Sequence, residues 1–123
     1  MSTSRHFDTV AFDVRDNATM LFFAKTSDDG DILDYVLVMR AISDEFDAVI
    51  FIEVNETQVS GTDLIREASM SENMLTISFR EPVREFDNSS ELVLTFDSTA
   101  ENRASMETGA FRVLGDKLAG GHA

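Results

Sequence analysis

Along the first third of the chain, apolar and polar positions alternate with a period of two. Val10, Phe12 and Val14 share one side of an extended segment while their neighbours are mostly polar, which is the pattern of a strand with one buried face. Turn-forming residues at Asp16-Asn17 and across residues 27–31 separate this segment from two further apolar stretches. The pattern predicts three strands joined by hairpins: one around Phe12, one over Ala18 to Lys25 and one over Tyr35 to Arg40.

The middle of the chain contains the strongest strand signal. Residues 48–55 (AVIFIEVN) are rich in β-branched and aromatic side chains, and Val59-Ser60-Gly61 is interpreted as a bend after this strand. Residues 64–70 and 74–80 then flank a polar turn and are predicted to pair. In the second arm Leu75, Ile77 and Phe79 alternate with polar residues and are expected on one buried face. Pro82 is expected to end that strand and open one helical turn, before a further strand over residues 91–97.

The C-terminal segment changes to helical spacing. Ser98 and Glu101 form a potential capping box, and Gly120-Gly121 is predicted to end the helix. Gly109 and Gly115 each weaken it by about 1 kcal/mol relative to alanine, so the helix needs support from the sheet. The residues expected to pack on the sheet are Met106, Ala110, Val113, Leu114 and Leu118.

A run of short strands followed by one amphipathic helix is typical of an α+β architecture. We predict a mostly antiparallel sheet of about seven strands covered by one C-terminal helix. The length of 123 residues suits one domain, so residues 1–123 are assigned to a single domain with an ordered core over about residues 7–118.

Charge and composition exclude several classes of partner. There are 23 acidic and 10 basic residues, for a net charge of −13, and such a field repels phosphate backbones and anionic lipid. Neither nucleic acid nor a membrane is therefore expected as a partner. The chain has no cysteine, and its N-terminal residues show no signal-peptide pattern. We expect a cytoplasmic protein.

The sequence offers little for catalysis. Its two histidines, His6 and His122, lie near the termini, where a general base is poorly held in register. Paired carboxylates alone support a hydrolase only as a distant third hypothesis. Residues 28–31 (DDGD) do not fit a calcium loop, because the spacing would place Lys25 and Val36 at carboxylate positions. Glycine-rich phosphate loops are absent. We expect no enzymatic activity, no metal and no cofactor.

The acidic stretch between residues 28 and 56 carries nine acidic residues against the single base Arg40. Such a stretch is either a solvated face that keeps the protein soluble or a docking surface that steers a basic protein. Spacing does not decide between the two. The candidate contact residues are Asp28, Asp29, Asp31, Asp34, Asp44, Glu45, Asp47 and Glu53.

The order of segments resembles a small immunity-protein family of bacterial polymorphic toxin systems. The resemblance rests on residues 35–40 (YVLVMR), an acidic connector, residues 50–55 (IFIEVN), the Ser60-Gly61 bend, and the hairpin and helix that follow. It covers roughly residues 7–118 by order of elements more than by identity. The chain departs from the family pattern at Thr62-Asp63, where an aromatic residue and further glycine would be expected.

The resemblance implies a cytoplasmic antidote that binds and blocks a cognate toxin, and the acidic balance suits a basic toxin. The carboxylates named above would then meet Arg or Lys of that toxin. The alternative is a structural or regulatory domain that forms a homodimer, or a larger homo-oligomer, through an exposed sheet edge.

Overall fold

The computed structural model describes residues 2–15, 17–41, 49–61 and 64–118. These ranges contain nine strands and one α-helix. The strands are β1 Ser2–Phe7, β2 Thr9–Arg15, β3 Ala18–Thr26, β4 Ile32–Ala41, β5 Ile50–Val54, β6 Thr57–Gly61, β7 Ile65–Ser71, β8 Met74–Val83 and β9 Ser89–Phe96, and the helix is α1 Ala100–Leu114.

The strands form two sheets. The five-stranded sheet is an antiparallel meander in the order β2-β3-β4-β5-β6, and the four-stranded sheet has the order β1-β9-β8-β7. Every neighbouring pair is antiparallel except β1 and β9, which run parallel. The α+β class with mostly antiparallel strands and a C-terminal helix is confirmed. The expected seven strands are nine, because the sequence pattern missed β1 and β6.

The hairpin predicted in the second half of the chain is confirmed. β7 pairs with β8 in antiparallel register, with Ala68 opposite Ile77 and Met70 opposite Leu75. Leu75, Ile77 and Phe79 are all buried. The period-two pattern therefore gave the correct buried face for this strand.

The prediction that Pro82 ends its strand is wrong, since β8 continues to Val83. The pairing of β8 with β9 shifts between Ser78 and Val83, so Pro82 lies in an irregular part of the ladder where its missing N–H is tolerated. The expected helical turn begins two residues after Pro82, as a 3-10 turn over Arg84–Phe86.

The helix also begins and ends differently from the prediction. Its N-cap is Thr99 rather than Ser98, and the Thr99 hydroxyl accepts a hydrogen bond from the Asn102 backbone N–H at 3.0 Å. The helix ends at Leu114, and a 3-10 turn over Gly115–Lys117 follows. Leu118 then forms a parallel bridge with Ala68 of β7. The predicted stop at Gly120-Gly121 lies outside the described residues.

One hydrophobic core lies between the sheets and the helix. α1 contacts β2, β3 and β4, and Met106, Ala110, Val113 and Leu114 are buried as predicted. Burying each of the large apolar side chains stabilises the fold by about 1.5–3 kcal/mol. We call the side of the five-stranded sheet that faces this core its inner face.

A buried amide fixes the helix on the sheets. Asn102 is 6% exposed. Its Oδ1 accepts from the Val10 N–H at 3.0 Å, and its Nδ2 donates to the carbonyls of Asp8 and Asp97 at 2.9 Å each. The first turn of α1 is therefore bonded both to the β1–β2 junction and to the residue after β9.

Candidate functional site

Three of the candidate carboxylates lie on the loop of the β3–β4 hairpin. The loop is closed by hydrogen bonds from the Ser27 N–H to the Asp31 carbonyl and from the Gly30 N–H to the Ser27 carbonyl, at 2.8 and 2.9 Å. Gly30 has φ +87°, which glycine adopts without strain. Asp28, Asp29 and Asp31 are exposed, and none of them takes part in an ion pair with another described residue. Their charges face water.

Asp34 has a different environment from the hairpin loop. Its two carboxylate oxygens accept from Arg5 Nη1 of β1 at 2.7 and 3.0 Å, and the Asn55 side-chain amide also donates to it. The Asp34 side chain is only 21% exposed. This carboxylate already has its cation within the chain, so its environment differs from that of the exposed hairpin carboxylates.

Glu53 lies on β5, on the side of the five-stranded sheet that faces away from the core. The Tyr35 hydroxyl donates a hydrogen bond to Glu53 Oε2 and accepts one from the Glu56 backbone N–H at 3.1 Å. Donation to the Glu53 carboxylate, together with burial, raises the pKa of Tyr35. The phenol therefore stays protonated and its ring is fixed, with its centroid 5.7 Å from that of Phe22. The remaining candidates, Asp44, Glu45 and Asp47, lie outside the described residues.

The same side of the sheet carries six large apolar or aromatic residues together with Glu53. They alternate with buried core residues along β3, β4 and β5 and are only half-buried. We call this side the outer face. Its residues are Met20, Phe22, Tyr35, Leu37, Met39, Phe51 and Glu53.

The strand register makes the outer face continuous. Met20 lies opposite Met39, Phe22 lies opposite Leu37, and Met39 also lies opposite Phe51. Opposed side chains on adjacent strands are about 5 Å apart at Cβ and touch each other. The outer face is thus one apolar surface across three strands.

The four-stranded sheet shows what a solvated sheet face looks like in this protein. The residues that alternate with its buried positions include Met74 and Thr76 of β8 and Val93 and Thr95 of β9. Three of these four are small and β-branched, and Met74 is the one large apolar side chain among them. The outer face of the five-stranded sheet has Met, Phe, Leu and Tyr at the equivalent positions, which is unusual for a surface that only meets water.

A shallow depression extends the outer face at the end where the β3–β4 hairpin lies. It is lined by Phe22, Ile32, Leu33, Tyr35, Asn55 and Glu56. Ile32 and Leu33 are 54% and 62% exposed. The apolar surface therefore continues toward the hairpin that carries Asp28, Asp29 and Asp31.

The candidates for acid–base chemistry are more exposed than a catalytic site requires. His6 Nδ1 lies 2.8 Å from Thr95 Oγ1 and His6 Nε2 lies 2.9 Å from Asp97 Oδ1, which is the atom order of a hydroxyl–imidazole–carboxylate relay. However, the His6 and Asp97 side chains are 58% and 56% exposed. Nucleophilic catalysis needs oxyanion donors in a site shielded from water, so we interpret this set as a surface network that ties β1 to β9.

Within the described ranges, no group of three or more His, Asp or Glu side chains is arranged to hold a metal ion. The helix in those ranges is too short and too polar to cross a membrane. No protein-family model and no curated protein sequence matches this chain.

Proposed function

We propose that this protein is a toxin-neutralising immunity protein, which binds a basic toxin and occludes it. The observation that carries the proposal is the β3–β4 hairpin, whose three exposed carboxylates form no ion pair with another described residue, in a chain of net charge −13. The resemblance to the immunity-protein family supplies the class of partner. The resemblance rests on the order of elements and on an acidic connector elsewhere in the chain, whereas the electrostatic argument rests on the hairpin carboxylates.

Electrostatics explains how such a hairpin would act. Exposed charges at the margin of an interface accelerate association, by steering an oppositely charged partner into contact. A toxin that acts on a phosphate-containing substrate needs a cationic surface, and carboxylates can take the place of the phosphates there. Binding by occlusion needs no catalytic group in the antidote.

Self-association through a sheet edge is the second candidate. β2 is an edge strand of the five-stranded sheet, and it carries Val14 with 45% exposure. An unpaired edge can pair with a second copy. The Arg15–Asp13 ion pair on this strand, with Nε and Oδ2 2.6 Å apart, and the repulsion between two chains of charge −13 both oppose that pairing.

Co-expression tests the proposed function directly. The genes adjacent to this chain's own gene are placed one at a time under an inducible promoter in a host that lacks them, and a gene whose induction arrests growth is taken as the toxin. Growth should stop when the toxin is induced alone and should continue when this chain is co-expressed. A chain with the core substitution Ile77→Asp, which should not fold, is the negative control. Growth arrest despite soluble wild-type chain would refute the proposal.

A further inference from the structure

We propose that the outer face of the five-stranded sheet is the surface on which the cationic partner protein docks. Leu37 and Phe51 lie at its apolar centre, and Glu53 provides a negative charge at its margin. This inference rests on the proposed function and deepens it, because it names the contact surface and the chemistry of its occupant.

The first argument is the pattern of burial within the strands. β3, β4 and β5 contain nearly continuous apolar runs (ATMLFFA, YVLVM and IFI). Such runs are typical of strands that are covered on both faces, whereas strands with one solvated face alternate. In this structure the helix and the second sheet cover the inner face only. Within the described part of the chain, the outer-face residues are not part of the core cluster.

The second argument is charge, which identifies the occupant. Lys25 lies opposite Asp34, and Asp34 bonds to Arg5 of the other sheet, so Lys25 lies on the inner-face side. Arg40 donates to the Val113 carbonyl of α1 and lies on the same side. Arg15, at the margin of the outer face, forms an ion pair with Asp13. The strands described here therefore leave Glu53 as the charge on the outer face that has no cation beside it. A cationic surface complements this arrangement.

The hairpin and the β5–β6 turn reinforce this polarity. Val36 lies opposite Val54, so the β5–β6 turn with Glu56 is at the same end of the sheet as the β3–β4 hairpin. The exposed Asp28, Asp29 and Asp31 thus stand at the end of the outer face where Tyr35 and Glu53 are. A second copy of this chain would bring like charges together, which costs free energy, so the partner is a protein of opposite charge.

The third argument is size and rigidity. Strands lie about 4.8 Å apart and rise about 3.4 Å per residue, so the outer face measures about 10 Å across its three strands, between backbones, and about 14 Å from Tyr35 to Met39. An interface of standard size buries about 800 Å² on each partner. The outer face is large enough for the apolar centre of such an interface, and the acidic end supplies part of a polar rim. A sheet also loses little conformational entropy on binding.

The test compares matched threonine substitutions on the two sheets. Leu37→Thr combined with Phe51→Thr removes the apolar centre and introduces β-branched residues, which suit strands. Val93→Thr is the control, because Val93 is half-buried on a central strand of the other sheet. The probe is a catalytically inactive form of the toxin that the co-expression experiment identifies. Its dissociation constant is measured by calorimetry, and each variant's fold is checked by circular dichroism.

We expect the double variant to raise the dissociation constant by at least about tenfold, and Val93→Thr to change it by less than about twofold. Glu53→Gln should slow association and reduce its dependence on salt. Wild-type affinity in a folded double variant would overturn the docking surface while leaving the proposed function intact. Failure of the wild-type chain to bind the probe would overturn the proposed function itself.

Light scattering after gel filtration tests whether a second copy of this chain, rather than a cationic partner, covers the outer face. If the wild-type chain alone is a dimer and the double variant is a monomer, the outer face binds a second copy and the inference is wrong. A wild-type monomer that forms a complex with the probe supports it.

Discussion

Gly109 of α1 lies directly against Leu21 of β3. A Cβ atom at position 109 would be only 3.1 Å from both Cβ and Cγ of Leu21, and closer still to one of its methyl groups. Leu21 is fully buried, so it has little room to move away. The glycine that weakens the helix in isolation is what lets the helix approach the sheet.

The close approach predicts an unusual response to alanine. Gly109→Ala should gain about 1 kcal/mol in helix propensity but lose about 1–3 kcal/mol through overpacking, so we expect a lower free energy of unfolding. Gly115→Ala is the matched control, because a Cβ there meets no atom within 4 Å. Urea denaturation should show Gly115→Ala as neutral or stabilising. A stabilising Gly109→Ala would show that the helix can shift away from Leu21.

The same pair shows where sequence reasoning stops. Helical spacing correctly predicted the four buried apolar residues Met106, Ala110, Val113 and Leu114, since amphipathic periodicity is a local property, but not the burial of Asn102 and Gly109. The role of Gly109 depends on Leu21, which lies 88 residues earlier in the chain, and no local pattern encodes that contact. The sequence therefore predicted the helix but not the reason for its glycine.

The missed strands have weak local signals for physical reasons. β1 (STSRHF) has one large apolar residue in the core, Phe7, and is held by parallel pairing with β9. β6 (TQVSG) is a short edge strand that Val59 anchors against the core. Backbone pairing defines both strands, since β1 pairs with the distant β9 and β6 pairs with the preceding strand β5, and side-chain periodicity does not report such pairing.

The candidate site was predicted only in part. The exposed hairpin carboxylates follow from turn-forming residues and charge, both of which are local. The Arg5–Asp34 ion pair joins β1 to β4 and depends on how the two sheets meet. The sequence therefore did not reveal that Asp34 is already paired with a cation of the same chain. The apolar runs did contain a signal for the outer face, but it cannot be distinguished from double-sided burial until the cover of each face is seen.

The helix–sheet contact can be tested with a charge. Val113→Asp places a carboxylate at a fully buried position, and we expect a loss of several kcal/mol in the free energy of unfolding. Thr108→Asp, at an exposed position of the same helix, is the control and should change stability by less than about 0.5 kcal/mol. Thermal melts followed by circular dichroism measure both. An unchanged melting temperature for Val113→Asp would mean that the helix is dispensable.

Asp8 gives the fold an acid-sensitive link. Its carboxylate accepts from the Thr26 N–H at 2.8 Å, from Thr9 Oγ1 at 2.7 Å and from Thr26 Oγ1 at 3.0 Å. These bonds, led by the Thr26 N–H, lower the pKa of Asp8. A lowered folded-state pKa means that the stabilisation is complete above the unfolded value of about 4 and is lost as pH falls through the folded value.

Asp8→Asn should therefore lower the free energy of unfolding by about 1 kcal/mol at pH 7, with a difference that shrinks as pH falls below about 4. Denaturant titrations at pH 7, 5 and 3 measure this trend. Asp28→Asn, in the exposed hairpin, should change stability little at any of these pH values. A constant difference between Asp8→Asn and wild type across the series would show that the charge of Asp8 is not what stabilises the junction.

The last prediction separates steering from contact. Asp28, Asp29 and Asp31 surround a glycine on an exposed loop, so they should act at the rim, where charge sets the association rate. Changing all three to Asn should slow association with the inactive toxin domain by about tenfold at low salt and leave dissociation nearly unchanged. The matched control removes three exposed carboxylates elsewhere, through Glu81→Gln, Glu101→Gln and Glu107→Gln.

Stopped-flow mixing at low and near-physiological salt measures the association rates of the hairpin variant and its control, because screening weakens exposed charges. For Asp44 and Asp47, substitution is predicted from the sequence to speed dissociation. If the hairpin variant and its control slow association equally, total charge steers the partner; if neither does so at either salt concentration, the −13 charge serves solubility and the contact lies elsewhere.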